Sequence, residues 1–402
     1  MLAATARVAR DIDLAEECVQ DAYLAALDAW SASGVPANPG AWLTTTAKRK
    51  ALDALRRDAT LRTKLPLLVE PDGGEDDPDI PDDRLRLVFT CCHPALAAEA
   101  QVALTLRLVC GLSTPDIAKA FLVSETTMAA RITRAKKKIS AARIAYRVPD
   151  LDELPDRLTA VLTAVHLVFT TGHAAPFGAE LVRFDLTDRA IDLSRMLMRL
   201  LPDAPEVRGL LALLLLTDSR RATRVGPHGR LALLEEQDRS RWDRGKIDEG
   251  THLLISALRS GPPGRFTLQA AIAAVHAEAP SYAETDWAEL LGLYDALLRI
   301  WPSPVVALNR TVALAEVRGL DAALAEVRRL EDDDRLAGYH YLPATKADLL
   351  RRRGDFEAAA DAYHQALGLV SNDAERAFLR ARLALVARGP TETGGPTSVR
   401  PL

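Results

Sequence analysis

The stretch Gly111–Ile139, GLSTPDIAKAFLVSETTMAARITRAKKKI, decides the fold of this part of the chain. Pro115 suits the first turn of a short helix, for which Thr114 is the predicted cap, and Ser124 can cap a second helix. Only a Leu-Val pair separates the two predicted helices. Two short helices joined by so brief a turn form a helix-turn-helix.

The second helix of this motif has an apolar stripe beside a basic face. Its stripe, expected to be buried, consists of Met128, Ile132, Ala135 and Ile139. Residues 131–147 hold seven basic side chains and no acid, which suits contact with phosphates, and Lys136 and Lys137 are expected phosphate contacts. The alternative is a solvated basic face on an ordinary surface helix, but the helix-turn-helix favours DNA binding. The predicted DNA contacts here are Ser124, Glu125, Thr126, Thr127, Ala130, Arg131, Arg134 and Lys138.

The composition favours an all-α protein of several domains. A chain of 402 residues exceeds one ordinary domain, and only 5% of its residues are aromatic, whereas β-rich cores draw on aromatic and β-branched side chains. The net charge of -4 argues against a protein that coats nucleic acid over its whole surface. Basic surfaces are therefore expected to be local.

The first sixty residues also indicate helices. Asp13 is a predicted helix cap with Glu16 three residues later, an arrangement typical of a capping box. A turn-rich loop, Ser31–Gly40, follows this helix. Asn38 and Pro39 then provide a cap and a first turn for the next helix, which carries several basic side chains.

Three segments resemble the extracytoplasmic-function (ECF) sigma factors of bacterial RNA polymerase. Asp13–Leu27, DLAEECVQDAYLAAL, is similar to their polymerase-binding helix. Asn38–Ala47, NPGAWLTTTA, continued by Asp53–Arg57, DALRR, resembles the helix that melts the promoter and reads the minus-ten element. Gly111–Ile139 resembles the domain that reads the minus-thirty-five element. The three segments occur in the family's order.

This resemblance implies two partners, RNA polymerase core and promoter DNA, and a set of residues for each. The residues implied in polymerase binding are Glu16, Glu17, Gln20 and Asp21. Those implied in contacts with the minus-ten element are Trp42, Lys48, Arg49, Lys50, Arg56 and Arg57. Trp42 has a structural alternative as a core residue, since large aromatic side chains dominate the energetics of cores.

A flexible acidic linker is expected between the two sigma-like domains. Residues 66–83 contain eight acids, four prolines and two glycines, and such a segment cannot bury enough apolar surface to order itself. The predicted domains are a region-2 domain at 1–62, the linker at 63–83, a region-4 helix-turn-helix domain at 84–146, a helical extension at 147–300, repeats at 301–388 and a disordered tail at 389–402.

The C-terminal half resembles, in part, a tetratricopeptide (TPR) array. Residues 340–371 resemble one repeat, and Gly319 precedes Gly354 by about one repeat length. Such an array either makes a regulatory or intramolecular contact or only supports its neighbour. The charged segment Leu233–Arg244 resembles a signature of sigma factors with this type of extension. Four of its residues either dock the extension onto the sigma domains or cap helices and form surface ion pairs: Asp238, Arg239, Trp242 and Asp243.

No catalytic, metal or membrane signature stands out. Cys91, Cys92 and His93 could suggest zinc, but adjacent cysteines chelate poorly, so buried thiols are favoured and no cofactor is expected. No signal peptide or membrane-spanning run is recognised, which predicts a cytoplasmic protein. The main hypothesis is a non-enzymatic sigma factor with a regulatory extension. The alternative is a helix-turn-helix transcription factor with a TPR-like sensor that acts without replacing the polymerase specificity subunit.

Overall fold

The chain is predominantly helical in the residues that the computed structural model describes. These are 1–62, 83–121, 123–150, 152–173, 183–224 and 232–387, with side chains described except at 58–62, 119 and 120. They contain no β-strand, which confirms the predicted all-α class. The chain divides into two compact units between Val168 and Phe169. The predicted linker, apart from Asp83, and the predicted tail lie outside the described residues.

Eight α-helices belong to the first unit or reach its end. They are α1 (Leu2–Ala9), α2 (Ile12–Ser33), α3 (Pro39–Arg62), α4 (Asp83–Cys91), α5 (Ala98–Leu104), α6 (Thr114–Phe121), α7 (Glu125–Ala141) and α8 (Leu154–His173). A π-helical turn, Thr105–Val109, continues α5. The last residue of the predicted linker, Asp83, is already helical, because it begins α4.

The first three helices pack through alanine. The side chains of Ala15, Ala22, Ala47 and Ala51 are completely buried, and such small residues let helix backbones approach closely. The cap predicted for α2 is wrong by two residues: Asp11, not Asp13, accepts a hydrogen bond from the backbone N–H of Leu14 at 2.8 Å.

The second helical domain is built around the predicted apolar stripe. The stripe prediction is confirmed, because Met128, Ile132, Ala135 and Ile139 are all buried. Ser124 caps α7 as predicted, accepting a hydrogen bond from the backbone N–H of Thr127. The cap predicted for α6 is wrong, because the Ser113 hydroxyl, rather than Thr114, accepts from the backbone N–H of Asp116. The α6–turn–α7 unit is therefore the expected helix-turn-helix.

Among its described residues, the second unit contains ten further α-helices, besides short 3-10 turns. They are α9 (Phe184–Leu200), α10 (Pro205–Asp218), α11 (Arg244–Arg259), α12 (Arg265–Glu278), α13 (Trp287–Ile300), α14 (Pro304–Arg318), α15 (Leu320–Glu331), α16 (Tyr341–Arg353), α17 (Phe356–Leu369) and α18 (Asp373–Ala387). From α12 onward each helix packs on the next. Gly319 and Gly354 have φ angles of 87° and 94°, a region open mainly to glycine, and each separates two successive helices.

Candidate nucleic-acid interface

The N-terminal end of α7 is exposed, and the Ser124 side chain caps it. The Ser124 hydroxyl lies 2.8 Å from the hydroxyl of Thr126 and 2.8 Å from that of Thr127. Both threonines, together with Glu125 and Ala130, are exposed to solvent. A recognition helix contacts base edges through this end, so the exposed side chains are placed where direct base contacts are possible.

The basic face of α7 remains available to a partner. Arg134, Lys137 and Lys138 are exposed, and Arg131 is half-buried. Among the described residues, none of these four side chains forms an ion pair with a carboxylate. Their charge is therefore not neutralised within this part of the protein, as a phosphate-binding surface requires.

Lys136 has a different environment from its neighbours. Its Nζ atom lies 2.8 Å from Oδ1 of Asp13 and also contacts Oε2 of Glu16, and only 13% of its side chain is exposed. Burial lowers the pKa of Lys136, but the hydrogen bonds and charges of Asp13 and Glu16 outweigh burial and raise its pKa above the usual value. In this conformation the charge of Lys136 is paired with two carboxylates of α2, and its contact with phosphate stays a prediction.

Further contacts join the first three helices to the helix-turn-helix domain. The Tyr146 hydroxyl donates to the backbone carbonyl oxygens of Ala3, at 2.9 Å, and Asp83, at 3.1 Å. Arg7 Nε lies 3.3 Å from Asp83 Oδ1, and Arg107 lies 3.4 Å from the carboxylate of Glu16. The structure therefore presents a closed arrangement, in which α2 lies against the domain that carries α7.

The predicted polymerase-binding residues lie on α2, but they do not share one environment. Glu17, Gln20 and Asp21 are exposed, whereas Glu16 is largely covered by Lys136 and Arg107. Sequence reasoning missed two neighbours on the same face: Leu24 and Leu27 are 61% and 67% exposed. Helical spacing places them one and two turns beyond Gln20, and this spacing could have identified them from the sequence. The face thus combines acidic and apolar groups.

The basic residues of α3 are only partly free. Lys50 lies 3.4 Å from the carboxylate of Asp21, and Arg56 lies 3.6 Å from Asp53. Arg57 donates to a backbone carbonyl of its own helix, and Lys48 is half-buried, whereas Arg49 is exposed. Their predicted contacts with the minus-ten element stay predictions.

Trp42 lies beside Trp30 at the base of the loop. Their ring centroids are 5.6 Å apart in an edge-to-face arrangement, and both rings pack against a small core of Ala22, Ala26 and Leu43. This packing agrees with the structural alternative for Trp42, while its DNA contact is untested.

Known protein families match three regions of the chain. Residues 2–60 match Sigma-70 region 2, residues 86–139 match Sigma-70, region 4, and residues 157–258 match a Family of unknown function (DUF6596). The chain is 44% identical over 399 residues to "Uncharacterized protein R00370" of Rhizobium meliloti (strain 1021), covering 97% of this chain and 94% of that protein. The chain belongs to the same family as this protein. It carries the domains of a sigma-70-type RNA polymerase sigma factor.

The family matches agree with the helical domains. The region-2 match spans α1 to nearly the end of α3, and the region-4 match runs from α4 into the last turn of α7. These domains imply RNA polymerase and promoter DNA as partners of the sigma factor, and they indicate a transcription initiation factor rather than an enzyme. The exposed end of α7 therefore belongs to region 4, and the exposed face of α2 belongs to region 2.

The side chains of the charged segment, Leu233–Arg244, bond to other residues of the second unit. Trp242 is 4% exposed, and its indole N–H donates to the Thr223 hydroxyl at 2.9 Å. Arg239 is also buried and donates to two backbone carbonyls. Asp238 and Asp243 cap the helices that follow them. All four residues of the predicted docking contact thus have local partners, which agrees with the capping alternative; docking itself stays untested.

Three further features of the described residues concern buried cysteines, metal ligands and membrane-spanning helices. Cys91 and Cys92 are buried, and burial raises the pKa of Cys92 to about 12, so it stays a thiol at neutral pH. Within the described residues, no group of three or more His, Cys, Asp or Glu side chains is arranged to hold a metal ion. The same part of the chain has no helix of sufficient length and apolarity to span a bilayer.

Proposed function

We propose that the chain is a sigma factor of the ECF type that directs RNA polymerase core to promoters and that its C-terminal extension regulates this activity. One observation carries the proposal most directly. A capped helix with unpaired basic side chains and an exposed acidic and apolar helix face occur in the same chain, within the region-4 and region-2 matches. A specificity subunit needs both surfaces, because it must bind the polymerase and the promoter together.

The extension is proposed to act as a TPR-like regulatory domain. Its helix pairs α14–α15 and α16–α17 turn at glycines 35 residues apart, close to the ~34-residue repeat of TPR proteins. The contact it makes is proposed to be a regulatory protein or another part of this chain. Because RNA polymerase works in the cytoplasm, we also propose that location.

Run-off transcription with purified core polymerase tests the assignment. The full chain should give promoter-dependent transcripts from a core preparation that lacks any other specificity subunit. The alternative function, a helix-turn-helix transcription factor with a TPR-like sensor, predicts DNA binding without such transcripts. Stable promoter binding by the chain alone, with no transcript and no core binding, would establish that alternative.

Arginines and lysines of α7 should affect DNA binding in different ways. Arg131→Ala or Arg134→Ala should cost about 1–3 kcal/mol of binding free energy and relax the sequence preference, if these side chains reach base edges. Lys137→Ala should weaken binding to all sequences alike and lower the slope of log affinity against log salt by about one. Binding of core-associated variants to a promoter library at several salt concentrations measures both effects.

Arg318→Ala provides a matched control, because Arg318 is an exposed arginine on α14 of the extension. It should leave affinity, preference and salt slope unchanged. The same loss for all three α7 variants at every sequence would mean that the arginines contact phosphates rather than bases.

Releasing Lys136 should strengthen core binding. In the closed arrangement Lys136 and Arg107 cover Glu16, a proposed polymerase contact. Lys136→Met keeps the aliphatic length but removes the ion pair that joins α7 to α2, so we expect core affinity to rise by about threefold to tenfold, a gain of about 0.7–1.4 kcal/mol. Titration of fluorescently labelled chain with core measures the change. Lys137→Met changes an exposed neighbour and should leave the affinity for core unchanged. If both variants and the original chain bind core equally well, the ion pair of Lys136 does not restrain core binding.

A further inference from the structure

A cavity lies in the second unit. Its volume is about 630 Å³, within the range of pockets that hold small organic molecules. Its walls come from α12, α13, α14, α16, α17 and α18, together with the segment before α13. None of these helices lies within the region-2 or region-4 match.

Aromatic side chains form much of the cavity wall. The Trp287 ring makes edge-to-face contacts with His276, at 5.8 Å between ring centroids, and with Tyr282, at 5.1 Å. Tyr294 and Tyr341 also line the cavity. Aromatic side chains pack favourably against other rings in offset or edge-on arrangements, so this wall suits a ligand that contains an aromatic ring.

Several polar groups of the same wall lack a protein partner. Among the described residues, no hydrogen bond is made by the hydroxyl groups of Tyr282 and Tyr294, the indole N–H of Trp287 or the side-chain amide of Asn309. The Nδ1 atom of His276 is buried and also unpartnered. Buried polar groups are normally hydrogen-bonded, and the Nδ1 atom of His276 is the buried one here; the other polar groups of this wall are open to the cavity and can bind a ligand that enters it.

Most carboxylates of the cavity wall are paired with arginine side chains. Glu316 lies 2.8 Å from Arg352, and Asp348 lies 2.8 Å from Arg351. The Glu375 carboxylate accepts a hydrogen bond from the Tyr341 hydroxyl and lies 3.2 Å from His340, while Glu235 lies 3.7 Å from Arg382. Three of these four acids are therefore neutralised by arginine, whereas Glu375 contacts the phenol of Tyr341 and the imidazole of His340.

Two arginines near His276, outside the cavity wall, have no carboxylate partner within the part of the chain that the structure describes. Arg220 has no carboxylate partner among the described residues, and its Nε atom is buried without a hydrogen bond. Arg239, 7% exposed, donates only to the neutral carbonyl oxygens of His276 and Ala279, and its Nη2 atom has no partner. Burial and these two arginines lower the pKa of His276 to about 4. Neither arginine lines the cavity itself, but Arg239 contacts the backbone of His276, and both carry positive charge that no carboxylate of the described residues neutralises.

We propose that this cavity binds a small organic molecule that combines an aromatic ring with a carboxylate. The ring packs against the aromatic wall around Trp287. The carboxylate accepts hydrogen bonds from Tyr294 and Asn309 and is stabilised by the charge of Arg220, because a guanidinium in a low-dielectric setting favours a nearby anion. That such binding would control transcription rests on the proposed regulatory role of the extension, but the binding itself does not.

Calorimetric titration of the full chain tests the ligand class with three probes of similar shape. They are biphenyl-4-carboxylate, its neutral amide and the cationic biphenyl-4-methylamine. The carboxylate should bind at least about tenfold more tightly than the amide, and the amine should not bind. Equal affinities of carboxylate and amide, tighter binding of the amine, or no binding of any probe would each overturn the proposal. None of these outcomes depends on polymerase, so they are separate from the test of sigma activity.

Three variants test the location and the charge. Ala344→Trp, which adds a large side chain to the cavity wall, should abolish binding of the carboxylate. Arg220→Met should weaken the carboxylate about tenfold and leave the amide unchanged, whereas Tyr294→Phe, which removes a donor that either ligand can use, should weaken both. Arg318→Met is the control for loss of an exposed arginine and should bind like the original chain. Unaltered carboxylate binding by Ala344→Trp or by Arg220→Met would refute the site.

The melting temperature of unliganded Arg220→Met separates a binding role from a structural one. Replacing a buried cation that lacks a partner with an apolar side chain of similar length should leave the melting temperature unchanged or raise it. A stabilised or unchanged Arg220→Met variant that has lost carboxylate affinity supports the proposal. A clear fall in its melting temperature would show that Arg220 serves the fold, and it would overturn the role given to its charge.

Discussion

Replacing both Leu24 and Leu27 by arginine should lower the affinity of the sigma factor for RNA polymerase core by at least about 100-fold. Both side chains are mostly exposed on the acidic face of α2, so neither contributes much to the fold of region 2. Full burial of a leucine in a partner's surface is worth about 1.5–3 kcal/mol, and two such losses exceed the ~2.7 kcal/mol that corresponds to 100-fold. Competition between labelled and unlabelled chain for core measures the effect.

Two other exposed leucines provide the matched control. Leu258 and Leu385, 42% and 54% exposed, lie on α11 and α18 of the extension. The Leu258→Arg, Leu385→Arg double variant carries the same added charge and should bind core normally. Both double variants should melt at the temperature of the original chain. Undiminished core binding by the well-folded α2 variant would remove the main physical support for a polymerase contact on this face.

The helix-turn-helix could be predicted from the sequence because its signals are local. Ser124 is followed by a stripe at helical spacing, and both the cap and the burial of the stripe are confirmed. The position of Lys136 could not be predicted in the same way. Its partners Asp13 and Glu16 are more than a hundred residues away, and only the tertiary arrangement brings α2 and α7 together. Sequence periodicity gives the face of a helix but not what lies against it.

The two capping errors have a common cause. Asp11 and Asp13 both precede an apolar run, and so do Ser113 and Thr114; each member of a pair is chemically able to cap. The backbone conformation of the entering chain decides which one does so, and side-chain type alone does not report that conformation. Helix boundaries from sequence are accordingly uncertain by a residue or two.

The cavity of the extension was beyond the reach of sequence reasoning for a different reason. Its polar groups lie on five or more separate elements, and their spacing along the chain follows no chemical motif. His276 and Tyr294 would each be interpreted alone as a partly buried aromatic side chain. Only the structure shows that their free polar atoms face a shared space near unpaired arginines.

Trp242→Ala should destabilise the extension by about 3–5 kcal/mol, the usual cost of truncating a large buried aromatic side chain. Trp242 is 4% exposed and bonds to Thr223, and the Arg239 guanidinium lies 4.8 Å from the centroid of its ring. Its loss should therefore leave a cavity and remove the ring against which the Arg239 guanidinium packs. Denaturant unfolding of the full chain, followed by circular dichroism, should show the extension unfolding at a lower denaturant concentration.

Trp242→Phe is the matched control, because it keeps an aromatic six-membered ring but removes the indole N–H that bonds to Thr223. It should cost about 1–2 kcal/mol, since one buried hydrogen bond and a little volume are lost. The pair of variants also separates the two interpretations of this segment. A side chain that docks the extension onto the sigma domains would change transcription without changing the unfolding of the extension. A core residue should have the opposite effects. Trp242→Ala should lower the denaturant concentration at which the extension unfolds. At low temperature, where the weakened extension is still folded, it should support run-off transcription at the level of the original chain.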